Sequence, residues 1–399
     1  MRKRLVFLAC AVAGCSDSSP PEQYGFVALL GRDTVSVERV SRARNRLVTD
    51  GVDKFPLVRQ RHSEFELDDD GHIRHMVMDV RTPSGKTPAE RERRITADFS
   101  GGEARISIRD SSGVRDTTFA SGEVLTVPHV SMMYSVIELE VATALAEGRK
   151  AGASAGAPFR FRQFYPDRDI GPTFALHQGF VHPRGDGKVE LRHDWLSGTG
   201  DITVDSAGRM LTYSGARSTY QVVVSRTSTL PDIESIGEQF AAAERRVGAA
   251  QLSVRDTVRA QIGPATFTID YSRPLARGRT LLGNVIPHDY VWRTGANAAT
   301  QFTTSAPISL AGLSVPAGTY TLWTIPRRDG AELIVNTQTG QWGTQYQGAS
   351  DLGHARLATA TASDTVEKFT MAIEAKDARR GTLSMAWGTF RWSAPIVIP

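Results

Sequence analysis

The chain is predicted to be mainly β, with an N-terminal antiparallel sheet that packs one helix and a C-terminal β-sandwich. Three observations carry this prediction. Short β-rich runs are separated by Asp/Ser/Gly clusters, the usual chemistry of tight turns. Several runs alternate apolar and polar residues with period two. Helical periodicity is confined to two stretches of the 399 residues.

Residues 1–14 have the layout of an export signal. Arg2, Lys3 and Arg4 are followed by the apolar run Leu5–Val12, which is too short to span a bilayer. Val12-Ala13-Gly14-Cys15 resembles a bacterial lipobox. That resemblance implies a lipid on Cys15, cleavage before it, and attachment to a membrane through the acylated N-terminus. Ser16 supplies no acidic retention signal, so the expected location is the cell envelope, on the outer membrane facing the periplasm. The alternative is ordinary secretion after the A-x-A site Ala11-Val12-Ala13, which leaves a soluble chain starting at Gly14. Residues 15–23 form a polar tether.

Residues 24–228 are expected to form the antiparallel domain. Asp68-Asp69-Asp70-Gly71, Asp110-Ser111-Ser112-Gly113 and Asp205-Ser206-Ala207-Gly208 mark its hairpin turns. In Lys188–Trp195, the side chains of Val189, Leu191, His193 and Trp195 share one face. From Met132 to Ala146, Met133, Val136, Ile137, Val141, Ala144 and Leu145 make one helical stripe. An open sheet holding a helix resembles the half-barrels of periplasmic lipoprotein carriers at the level of fold. The Ala/Gly run 151–157 is a connector. A second helix, opened by Pro231 with a seam of Ile233, Ile236, Phe240, Ala243 and Val247, joins the domains within residues 229–252.

Residues 253–399 return to short strands. Phe267, Ile269 and Tyr271 alternate, as do Leu383, Met385 and Trp387. Thr319–Ile325, Glu332–Asn336 and Phe369–Ile373 are further strands, about seven in all, which fits a sandwich.

Composition excludes several functions. Of 47 basic residues, Arg2, Lys3 and Arg4 leave with the signal, so 44 face 43 acidic ones and no nucleic-acid partner is expected. Cys10 and Cys15 are the only cysteines, so the mature fold has neither disulfide nor thiol nucleophile. No G-x-S-x-G elbow and no phosphate-cradling glycine loop occurs, and no cofactor is expected. Among nine histidines, none lies beside a carboxylate at metal-ligand spacing, so no metal site is expected. His72 and His75 point to opposite faces of a strand, and His193 is read as a hydrogen-bonded core residue.

The C-terminal third carries ordered motifs: Asp270-Tyr271-Ser272-Arg273-Pro274, Arg277-Gly278-Arg279, Trp292-Arg293-Thr294-Gly295-Ala296-Asn297, Val315-Pro316-Ala317-Gly318-Thr319-Tyr320 and Gln341-Trp342-Gly343. With them, Thr266–Ile398 resembles the bacterial domain of unknown function (DUF) family 2911. Members of that family often carry an acidic residue after the motif Asn, where this chain has Ala298. The resemblance implies a domain and no mechanism.

The expected ligand site is Asp270, Arg273, Arg279, Trp292, Arg293, Asn297 and Trp342. Arginine offers a planar fork of donors for anions or hydroxyls, Asn a two-way amide, and Trp a flat face for a sugar ring. The competing reading pairs Arg273 or Arg293 with Asp270 inside the sandwich. The expected function is a membrane-anchored binding or scaffolding module for a small polar or carbohydrate-like ligand, with no catalytic residue assigned. The alternatives are an envelope hydrolase using Asp270 or another carboxylate, and a lipid or lipoprotein carrier with a cavity between sheet and helix.

Overall fold

The computed structural model describes residues 20–120, 125–152, 156–166, 176–193, 198–248 and 252–399. The export signal, Cys15, part of the Ala/Gly connector and Trp195 lie outside the described residues.

The fold is mainly β, built on sheets of fifteen and nine strands. In the larger sheet the first eight strands, Glu22–Leu30 to Gly113–Ala120, form a meander of antiparallel neighbours. The first strand then pairs with the last, Val223–Thr227, placing Gly25 opposite Thr227. From there the sheet runs back through the later strands to a parallel pair, Phe159–Phe164 beside Thr126–Pro128. The Asp clusters form the turns. Asp68 Oδ1 accepts the amides of Asp70 and His72 at 3.0 and 2.9 Å, which holds the hairpin closed. Beyond a single helical turn, α1 (Pro88–Arg91), two helices pack on opposite faces of this sheet.

Helix α2 (Tyr134–Lys150) lies in one core with residues from strands throughout the sheet. The sequence predicts one buried stripe, but the helix is buried nearly all round. Val136, Leu139 and Val141 are buried, and so are Glu138 and Glu140. Each buried carboxylate has partners. Glu138 accepts from the Tyr24 hydroxyl at 2.5 Å, the Met210 amide at 2.8 Å and Arg226 Nη1 at 2.7 Å. The helix has no side-chain cap of its own at Met133. Glu38, from the second strand, accepts the amides of Tyr134 and Ser135 instead.

Helix α3 (Ile233–Val247) starts two residues later than the Pro231 opening expected, because Asp232 caps it by accepting the Ser235 amide at 2.9 Å. Ile233 and Phe240 pack on Val37, Val52 and Val58. Val37 and Glu38 are successive strand residues, so α3 sits opposite α2. Val247, expected in the seam, is 73% exposed beyond the last sheet contact.

The C-terminal sheet has nine strands rather than seven short ones. Two are long, Asp351–Ala375 and Arg380–Val397. The first pairs at its start with Gly330–Asn336 and then passes to the second, with register breaks between Thr361 and Thr370. Those breaks turn the sheet back over itself. Arg273 Nε donates to the Phe369 carbonyl at 2.9 Å, and the Met371 amide donates to the Tyr271 hydroxyl at 3.0 Å, joining the folded-over part to the first hairpin. One core results, with Phe267, Phe302, Leu333, Met385 and Trp387 inside.

Candidate functional site

The Trp292–Asn297 segment is a tightly wound loop. Trp292 exchanges two backbone hydrogen bonds with Thr324, at 2.7 and 2.9 Å. Thr294 and Asn297 take left-handed backbone angles, φ 49° and 59°. The Thr300 hydroxyl donates to the Thr294 carbonyl at 2.7 Å. This winding sends the Trp292 indole into the core, where it stacks on Trp387 at 5.9 Å and meets the Phe369 ring edge-on at 5.1 Å.

Arg293 crosses to the N-terminal domain. Its Nη2 donates to the Ser218 carbonyl at 2.9 Å, while its buried Nη1 has no hydrogen-bond partner among the described residues. Burial lowers the pKa of this guanidinium to about 10. Gly343 makes room for it: a Cβ there would overlap Arg293 Cδ and lie 2.5 Å from the Asn297 carbonyl oxygen.

Arg293 lines a cleft of about 540 Å³ between the domains. Arg192, His193 and Arg217 form one wall; Tyr290, Trp323, Gln345 and Tyr346 belong to the other. No acidic side chain lines it among the described residues. Arg217 is held by Asp201 and by Glu190 at 2.9 Å and lies 4.8 Å from the Tyr290 ring centre. The Arg293 charge has no such partner, so the cleft is electropositive. The walls are joined by Trp342 Nε1 donating to the Thr219 hydroxyl at 3.0 Å and by Gln221 Nε2 donating to the Val285 carbonyl at 3.3 Å.

A larger groove, about 900 Å³, runs over the N-terminal sheet beside α3. Its charges are largely matched, as in Arg94 with Asp79 at 3.1 Å and His62 with Asp50 at 2.7 Å. It offers less to a charged ligand than the cleft.

The structure divides the predicted site residues. Arg293 lines the cleft beside Trp292, whose indole is turned into the core and offers no face to a ligand, contrary to expectation, and Asn297 and Trp342 brace the loops behind it. Asp270 lies on a sheet surface, gripped by Arg255 through bonds of 2.7 and 2.5 Å. Arg273 ties three strands, reaching Asp256 at 2.9 Å, the Phe369 carbonyl and Thr370 at 2.6 Å. Arg279 donates to the Leu275 and Ala276 carbonyls at 2.6 and 3.1 Å and packs against the turn at Gly31. Neither Arg273 nor Arg293 pairs with Asp270, contrary to the competing reading. Arg217, Ser218 and Tyr290 were not singled out from sequence. They come from loops that meet only when the domains dock.

The fold and site define a β protein of two large sheets with an arginine-lined cleft between them. Residues 253–396 match the model of the family described as "Protein of unknown function (DUF2911)". The match begins at the strand Ser253–Ile262, earlier than the Thr266 start expected from the motifs. No curated protein matches the chain. Among solved structures, the crystal structure of a DUF1089 family protein from Pseudomonas aeruginosa is similar at 16% identity with a TM-score of 0.33. The similarity covers 53% of this chain and 97% of that one.

Proposed function

We propose that the protein is a lipid-anchored envelope binding module whose interdomain cleft takes a small, negatively charged, carbohydrate-like ligand. The carrying observation is Arg293, a buried guanidinium at the edge of the cleft whose Nη1 has no hydrogen-bond partner, with no carboxylate lining the cleft among the described residues. A buried cation without an anion is costly, and a carboxylate or phosphate on the ligand offsets that cost with charge-assisted hydrogen bonds. Tyr290 and Tyr346 supply apolar faces for a sugar ring, with the buried Trp323 packed behind Tyr346. The lipid anchor, on Cys15, rests on the sequence. The hydrolase reading needs a free carboxylate, and Asp270 gives both oxygens to Arg255. The carrier reading needs space between sheet and helix, where the side chains of α2 are packed.

The test is calorimetry on the full chain in detergent with glucuronate, glucose 6-phosphate and glucose. The acidic sugars should bind, more weakly as salt rises, and the neutral one should not. Arg293→Ala should weaken binding roughly 10- to 100-fold, the range for one charged hydrogen bond. Equal affinity in wild type and variant would refute the assignment. An intact mass of the mature N-terminal peptide tests the anchor: acylated Cys15 supports it, and an unmodified start at Gly14 removes it.

A further inference from the structure

We propose that His129, Glu140 and His193 form a binding site for a divalent metal ion of the zinc type. The three come from separate places: the segment before α2, the middle of α2, and the end of the strand Lys188–His193. All are buried, and one ligand atom from each lies within 4.8 Å of the others.

Three features point to a cation. First, His129 Nδ1 and Glu140 Oε2 are 3.4 Å apart. A charge-assisted hydrogen bond between such atoms is about 2.7–2.9 Å. Two ligands of one tetrahedral ion, each about 2.0–2.1 Å from it, stand roughly 3.3–3.4 Å apart. Second, Gln163 orients the other ligands. Its Oε1 accepts from His193 Nδ1 at 2.7 Å, which leaves the His193 Nε2 lone pair free for a metal. Its Nε2 donates to Glu140 Oε1, leaving Oε2 available. Third, the carboxylate of Glu140 is fully buried, and its hydrogen-bond and ion-pair partners among the described residues are His129 and Gln163. Glu138, two residues earlier, is also buried but pairs with Arg226. A cation at Glu140 would supply what the protein supplies at Glu138.

Two nitrogens and one carboxylate oxygen suit zinc. Calcium and magnesium prefer all-oxygen shells. Three protein ligands leave a fourth position for water or another donor. His193 also lines the interdomain cleft, which gives the ion a route to the site. This inference is independent of the anionic-ligand reading, and failure of sugar binding would leave it standing.

The test uses the full chain in detergent, stripped with a chelator. Zinc is titrated by calorimetry, and cobalt(II) serves as an optical probe of geometry. One equivalent of zinc should bind with micromolar or tighter affinity, and cobalt should give the strong visible bands of a four-coordinate site. Zinc should also raise the melting temperature of the wild type. Glu140→Gln keeps the shape and the contact with Gln163, and it should weaken zinc binding at least 100-fold. No saturable zinc or cobalt binding by the wild type would overturn the proposal, whatever the variant does. Zinc affinity unchanged in a folded Glu140→Gln protein would also overturn it.

Discussion

Glu38 Oε2 accepts the amide of Ser135 at 3.0 Å, across 97 residues of sequence. A strand carboxylate thereby caps a helix that has no cap of its own. The first turn of α2 is buried, so its free amides cannot turn to water. The partial positive charge at a helix N-terminus favours an acceptor there.

Truncating that acceptor should be costly. Glu38→Ala leaves two buried amides unsatisfied and opens a cavity, and it should destabilise the protein by roughly 2–4 kcal/mol. Urea melts followed by circular dichroism measure this loss. A change below about 1 kcal/mol would mean that the Glu38 bonds add little.

Glu38 also predicts a pH dependence. Burial pushes its carboxyl up from 4.5 to about 7, despite the helix amides and Arg61 opposing the shift. Between those values the folded chain holds a proton that the unfolded chain has lost. This contribution to stability is therefore full below pH 4.5 and declines as pH rises towards 7. At about 1.4 kcal/mol per pH unit, it amounts to roughly 3 kcal/mol. Glu38→Gln cannot titrate, so its stability should fall less than that of the wild type between pH 5 and 7.5. Parallel curves would contradict the assignment.

Gly343→Ala should damage the cleft without touching its charge. The added methyl overlaps Arg293 Cδ and crowds the Asn297 carbonyl. Overpacking of this kind costs about 1–3 kcal/mol, and the displaced Arg293 should lose acidic-sugar binding as Arg293→Ala does. Gly330→Ala is the control, because its methyl would meet nothing nearer than Arg356 Nη2 at 3.7 Å. Equal sugar affinities in the two variants would show that the position of Arg293 is immaterial.

Asp270 and Arg273, three residues apart, should behave very differently. The Asp270–Arg255 pair is solvent-exposed, so Asp270→Asn should cost less than about 1 kcal/mol and leave cleft binding unchanged. Arg273→Met removes donors to Asp256, Phe369 and Thr370 and should cost roughly 2–3 kcal/mol. Denaturant midpoints of the two variants decide this. If Asp270→Asn abolishes a hydrolytic activity, the binding-module reading fails.

Strand alternation and turn chemistry made much of the fold legible. Val189, Leu191 and His193 are buried as their spacing predicts, and the three Asp clusters lie at hairpin turns. The burial of Glu138 and Glu140 was not legible, because a stripe argument counts them as polar and cannot see Arg226 and Gln163 in distant strands or His129 in the segment before the helix. The site was half legible. The Trp292-Arg293 and Trp342-Gly343 motifs belong to it, while Asp270 and Arg273 point to opposite faces of one strand and cannot share a ligand. Ser218 and Tyr290 belong to loops with no period, and only domain docking brings them together. His129, Glu140 and His193 are far apart in the chain, so ligand spacing gave no hint of their meeting.

The pairing of Gly25 with Thr227 governs the order in which the N-terminal domain can assemble. The eight-strand meander needs only neighbouring hairpins and can form as soon as its own strands are free to pair. The Glu22–Leu30 strand nevertheless keeps one edge open until some two hundred residues later, when its partner arrives. Until then α2 is covered from one side only, and apolar surface and an unpaired strand edge are exposed together. Sequence-distant closure of this kind is slow and prone to aggregation. Chains ending before Val223 should therefore collect as aggregates rather than as a smaller stable domain.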